Sequence, residues 1–180
     1  IKEWVEKLRE VVQNPDRSTY FIGHSIGGQA IMRFLAGLPG GSKIGGVVFL
    51  ASWFVLKALE DEEAEKIAKP WVDTPIDFES LKQKTSHYVI ILSDDDPWVP
   101  VDTTKKQFEK NVGAKVIIEH HKGHFTEEDG ITEVPMVIKE VETQAGKMGK
   151  EVVTLELLEE AKKRWKGTME FHSGLDKGEK

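Results

Sequence analysis

The sequence predicts an α/β protein: three layers, α/β/α, around a mostly parallel sheet. Three observations carry this expectation. Four short runs, "TYFI" at 19–22, "GGVVFLAS", "YVIILSD" and "KVIIEH", are apolar, β-branched and nearly continuous, as in parallel strands covered on both faces. Helical stretches lie between them, so strand and helix alternate with right-handed crossovers. Where the first run gives way to a helix, Gly23-His24-Ser25-Ile26-Gly27 has the G-x-S-x-G spacing that raises a serine on a sharp turn.

The elements follow in order. Ile1, Trp4, Val5, Leu8, Val11 and Val12 recur at helical spacing, with Lys and Glu between them. Asn14-Pro15-Asp16 marks a turn. Residues 26–38 form a mostly apolar helix, stopped by Pro39-Gly40-Gly41. Three further helical stretches, 54–68, 78–85 and 103–112, separate the later strands. From 131 to 142, apolar residues at 134, 137, 138 and 141 make one helix face, with Thr132 as N-cap and Pro135 in the first turn. These residues, 1–142, constitute the expected core. A tail, 143–180, follows: a short strand at Val152–Leu155 feeding a helix over 156–165, then a polar, frayed end.

Composition narrows the function classes. The 180 residues fit one domain able to bury a core, and 39% hydrophobic with 31% charged residues suits a soluble globular protein. No apolar run reaches the length of a bilayer span, and the chain opens at Ile1 inside a helix with no signal peptide in view. A formal charge of -6 argues against nucleic acid as a partner, and the Lys-rich stretch at 161–167 is too interrupted by acids to claim one. The acidic run "EDEEAE" at 60–65 reads as a solvated helix face. Without cysteine there is no disulfide, no cysteine-ligated zinc and no thiol nucleophile, which suits a cytoplasmic setting.

A serine hydroxyl needs a base to take its proton, an acid to orient the base, and donors for an oxyanion. Ser25 follows the first strand, Asp94-Asp95-Asp96-Pro97 the third and His124 the fourth. A metal reading competes: His120, His121 and His124 cluster beside three aspartates, a set that suits zinc or iron. It is disfavoured because His120 and His121 end a strand and project to opposite faces, so the expectation is no metal and no cofactor.

"GHSIGG", "SDDDPWVP", "GHFTEEDGITEVP" and "KPWVDTPIDFESLKQK" resemble the small serine hydrolases of the YdeN and retinoblastoma-binding-protein type, within the α/β-hydrolase superfamily, over roughly residues 1–142. The resemblance implies Ser25 as nucleophile, His124 as base and Asp96 as acid. Asp96 is favoured by the family's spacing to a Val-Pro pair, here Val99-Pro100, with Asp95 as runner-up and Asp94 shaping the turn. It implies acyl transfer from a small ester or amide to water, with the Ile26 backbone N–H facing the oxyanion. Gly23 and Gly27 would allow close approach of strand and helix, and His24 would be structural. Trp53, Phe54 and Trp71 would wall an acyl pocket, with Trp98 beside the acid loop. The family also has a strand and a Gly-rich oxyanion loop ahead of the first helix; no counterpart is seen before Ile1. The expected fold is therefore a truncated α/β-hydrolase, with activity weakened by the missing donor or given over to binding. "TYFIG" would then be an exposed sheet edge, covered by the strand at Val152–Leu155, by a second copy in a homodimer, or by a separate segment.

Overall fold

The computed structural model of the chain describes residues 1–57, 59 and 62–147. All four apolar runs are strands: β1 Tyr20–His24, β2 Gly46–Leu50, β3 Tyr88–Ser93 and β4 Lys115–Glu119. They pair in sequence order, β1-β2-β3-β4, and every pairing is parallel. Six helices accompany them among the described residues: α1 Lys2–Val11, α2 Ile26–Ala36, α3 Glu62–Asp73, α4 Phe78–Lys82, α5 Val101–Val112 and α6 Pro135–Lys147. Ile1–Gln144 forms one compact unit.

Period-2 geometry divides the strand residues between two cores. Phe21, Val47, Phe49, Tyr88, Ile90 and Leu92 face Ile31, Phe34 and Leu35 of α2, Leu81 of α4 and Phe108 of α5. Val48, Leu50, Val89 and Ile91 face the other way, onto Phe125 and Val137, the latter on α6. A sequential parallel sheet with right-handed crossovers must stack its crossover helices on one face. A helix after the last strand is then free to cover the other, and α6 does so. The sheet thus has helices on both faces, as the continuous apolar runs require. β2 and β3 are buried along their whole lengths.

Parallel strands all end at the same rim, so Ser25, Asp96 and His124, each just past a strand, start out as neighbours. β1 is an edge strand and pairs only with β2 among the described residues. The tail strand expected at Val152–Leu155 lies outside those residues, as does most of the expected 143–180 tail. No helix of the described residues is long and apolar enough to cross a membrane.

The helix ends shift by two or three residues in α2, α4 and α5, and two helices depart further from the expected bounds. α3 begins at Glu62 rather than near Phe54 and runs through Pro70 to Asp73. Tertiary contacts carry it past the proline: Trp71 is buried, packs edge-on against Trp4, and lies under the Arg33 guanidinium. α6 begins at Pro135, so Thr132 is not its cap. A proline at the first helical position has no intrahelical hydrogen bond to lose and its φ is already helical, which fixes the start there.

Candidate active site

The nucleophile turn is set by close packing. Ser25 connects β1 to α2 with φ 49 and ψ -123, a conformation that costs a non-glycine residue about 1–3 kcal/mol. The Ser25 N–H donates to the Leu50 carbonyl (2.8 Å), pinning the turn to β2. Glycine is demanded at Gly23 and Gly28. A Cβ on Gly23 would lie 2.8 Å from Ile31 Cδ1 and 2.9 Å from the Gly28 backbone, and one on Gly28 would lie 2.1 Å from Ser52 Oγ. Gly27, expected to serve that purpose, has open space where its Cβ would be. It lies on the outward side of the first turn of α2, so the close approach belongs to Gly28 instead.

The three predicted side chains meet. Ser25 Oγ lies 2.8 Å from His124 Nε2, and His124 Nδ1 lies 2.8 Å from Asp96 Oδ2. Asp96 is 1% exposed and His124 5%. The second Asp96 oxygen accepts the backbone N–H groups of Trp98 and Val99, each at 2.9 Å. A carboxylate held by two amides has a fixed orientation, and it presents its free oxygen to the imidazole. Lys57 anchors the same loop, donating from Nζ to the Asp96 carbonyl and from its backbone to that of Trp98.

The two neighbouring aspartates are built into the loops. Asp95 Oδ1 accepts from Ser93 Oγ (2.6 Å) and from the N–H groups of Gly123 (2.9 Å) and Lys122 (3.1 Å). The Ser93 hydroxyl and then the Gly123 amide hold its carboxyl below the usual range. Asp94 pairs with the His120 ring and accepts the His121 N–H, and these lower its pKa in turn. Asp95 therefore laces the acid loop to the histidine loop, and Asp94 ties the end of β4. Asp94, Asp95 and His121 do lie close enough for a shared ion, but all three are exposed. His124 is separate from them, against Asp96.

Three contributors, Gln29, Arg33 and Asp129, escaped the sequence reading, and a fourth, Trp53, was expected only as a pocket wall. The Trp53 indole N–H donates to Ser25 Oγ (3.3 Å), so this buried ring touches the nucleophile itself. Gln29, buried on α2, donates to the Trp53 carbonyl, and Arg33 extends the network to the Trp71 and Thr74 carbonyls. Asp129 grips the histidine loop: its Oδ2 accepts from the His124 and Thr126 N–H groups and the Thr126 hydroxyl. Burial alone would raise its pKa, but the Thr126 and His124 hydrogen bonds outweigh that and hold it low. Its carboxylate fills the space a Cβ on Gly123 would need, which reserves that position for glycine. The Thr126–Asp129 spacing is a local turn signal that could have been read; the others join residues far apart in sequence. Of the remaining predicted aromatics, Trp98 meets His124 edge-on at 4.8 Å, while Phe54 packs against Phe78 and Phe108.

His24, expected to be structural, contacts the site. Its Nε2–H donates to the His124 carbonyl (2.8 Å). Burial, followed by the nearby His124, pushes its pKa down to about 4. The unfolded chain therefore takes up this proton before the folded one as pH falls. Stability from this source is complete above pH 6.5 and is lost progressively toward pH 4, by about 3 kcal/mol. Urea unfolding at pH 7 and pH 5 should reveal the slope, and His24→Gln should flatten it.

Serine, imidazole and carboxylate stand in line at one rim of the parallel sheet. Residues 1–143 match the serine hydrolase family. This chain belongs to the serine hydrolase family. Among relatives of this serine hydrolase, YdeN of Bacillus subtilis, a provisionally assigned hydrolase, is 26% identical over 137 residues, covering 76% of this chain and 69% of YdeN. The crystal structure of the B. subtilis ydeN gene product superposes with a TM-score of 0.71 at 25% identity, over 81% of this chain and 75% of that one. A provisionally assigned YdeN-like hydrolase from Pectobacterium atrosepticum shares the fold, with a TM-score of 0.52 at 18% identity, over 80% of this chain and 69% of its own.

Proposed function

We propose that this serine hydrolase cleaves a small ester or amide through an acyl-enzyme on Ser25, with His124 as base and Asp96 as the acid that orients it. The observation that carries the reading is the unbroken run of two 2.8 Å hydrogen bonds from Ser25 Oγ through the imidazole to Asp96. His124 takes the hydroxyl proton at Nε2 as Oγ bonds to the substrate carbonyl carbon. Asp96 holds the Nδ1–H tautomer and stabilises the imidazolium that forms. His124 then returns the proton to the leaving alcohol or amine, and water repeats the sequence to release the acid.

Charge that develops on the substrate oxygen is met by the Ile26 N–H. Ile26 opens α2, where the first backbone N–H groups have no acceptor within the helix and point toward added negative charge. Trp53, against Ser25, and Trp98, against His124, would face the acyl and leaving groups.

Acid-quenching the reaction with p-nitrophenyl acetate and mapping the peptides by mass spectrometry tests the proposal. The acetyl group is expected on the peptide that contains Ser25. Turnover that leaves Ser25 unacylated would reject the covalent route. A folded chain that neither turns over nor acylates would favour a binding role for the same fold.

A further inference from the structure

Among the residues outside the triad, His24 and Asp129 each hold the backbone of the base directly, and His24 alone of the two does so from the nucleophile strand. It is the last residue of β1 and the immediate neighbour of Ser25. Its ring lies 5.1 Å from the His124 ring, and its Nε2 lies 2.8 Å from the His124 carbonyl, a bond that spans 100 residues of sequence. A carbonyl can only accept, so Nε2 carries the hydrogen. A ring that stays neutral until about pH 4 keeps its second nitrogen unprotonated across the neutral range and puts no charge beside the imidazolium that His124 becomes.

The peptide unit that His24 holds needs holding. It joins His124 to Phe125, whose φ is 59, left-handed backbone that a bulky residue adopts only when its surroundings enforce it. On its other side, the His124 N–H is tied to Asp129, within the same loop. Asp129 therefore shapes the loop, whereas His24 ties the loop to the strand that carries the nucleophile.

We infer that His24 is a positioning residue, a tether from the nucleophile strand to the backbone of the base that sets the separation of Ser25 Oγ from His124 Nε2. The inference rests on the triad reading above. It assigns a role to the residue between Gly23 and Ser25 that neither turn geometry nor close packing requires, since a histidine is not needed for either.

Three variants of the full chain test it: His24→Gln, whose amide nitrogen overlies the histidine Nε2; His24→Met, of like length without a donor; and His24→Asn, a donor one methylene too short. Two quantities are read, the rate of fluorophosphonate labelling at Ser25 and amide exchange over residues 122–130. The glutamine variant should label within about threefold of wild type, and the methionine and asparagine variants roughly tenfold to a hundredfold more slowly, as for a base displaced by a fraction of an ångström to an ångström. Exchange over 122–130 should quicken in the latter two while β2 and β3 stay protected. If methionine prevents folding, the asparagine–glutamine comparison decides. Equal rates in the glutamine variant and the donor-deficient ones, whether wild-type or impaired, would overturn the tether. If wild-type protein fails to label at Ser25, the triad reading falls. Exchange then judges the tether alone: unchanged exchange over 122–130 without the donor overturns it, and faster exchange there upholds it.

Discussion

Replacing Ser25 or His124 with alanine is expected to lower ester turnover by about 10⁶, each variant falling to nearly the same residual rate. Oγ and Nε2 act on one proton at one moment, and the 2.8 Å bond between them leaves no room for a substitute base. The other titratable groups at this rim are committed elsewhere: Asp95 to the Ser93 hydroxyl and the Lys122 and Gly123 amides, Asp94 to His120 and the His121 amide, and His24 to the His124 carbonyl. The double variant should therefore be no slower than either single one. Steady-state kinetics with p-nitrophenyl acetate measures all three. A His124→Ala enzyme within tenfold of wild type would mean that another group takes the proton.

Asp96→Asn should reduce kcat by about 10⁴. Asparagine fits the site, and its oxygen can still accept the Trp98 and Val99 N–H groups. What it then turns toward His124 Nδ1 is an NH₂ donor, which favours the tautomer with hydrogen on Nε2 and leaves Ser25 facing a donor in place of a base. The loss belongs in kcat, with KM little changed, because substrate does not touch Asp96. The adjacent aspartates give the contrast. Asp94→Asn should leave kcat within a few-fold, since Asp94 is exposed and pairs with His120 on the surface. Asp95→Asn should act on stability more than on chemistry, because it loosens the contacts between the β3 and β4 loops. A larger kcat loss in Asp95→Asn than in Asp96→Asn would reassign the acid.

The sheet and the rim were legible because their causes are local. Continuous β-branched runs such as "GGVVFLAS" mark strands covered on both faces, and sequential right-handed crossovers then bring their ends together. Ser25, the Asp94–Asp96 cluster and His124 each sit just past such a run, so their convergence was readable without knowledge of any contact, whereas the choice of Asp96 within the cluster came from the family resemblance. The misread glycine shows the limit. Gly27 and Gly28 are both helical and adjacent, and only the rotation of α2 over Ser52 decides which one must lack a side chain. Likewise the α3 boundary was set by Trp71 packing on Trp4 and Arg33 rather than by helix propensity.

The polar supports of the site were invisible for a related reason. His24 reaches His124 across 100 residues, and Trp53 reaches Ser25 across 28. Pairings of that kind leave no periodic trace in the sequence. Trp53 was expected only as an apolar wall, whereas its indole N–H is directed at the nucleophile; a pattern of residue types does not encode which edge of a ring faces a neighbour. Asp129 was the exception, a turn-forming aspartate three residues after a threonine, close enough to the base for the link to be drawn.

The account turns on Ser25 being activated by the contact with His124. A fluorophosphonate probe, with the adduct located by peptide mass spectrometry, examines this directly, because a phosphonyl group transfers only to a serine whose proton is being withdrawn. The prediction is a single adduct, on Ser25, that forms in wild-type protein and is not detectable in His124→Ala. Folded wild-type protein that stays unlabelled, or a Ser25 adduct that forms equally fast without His124, would contradict it.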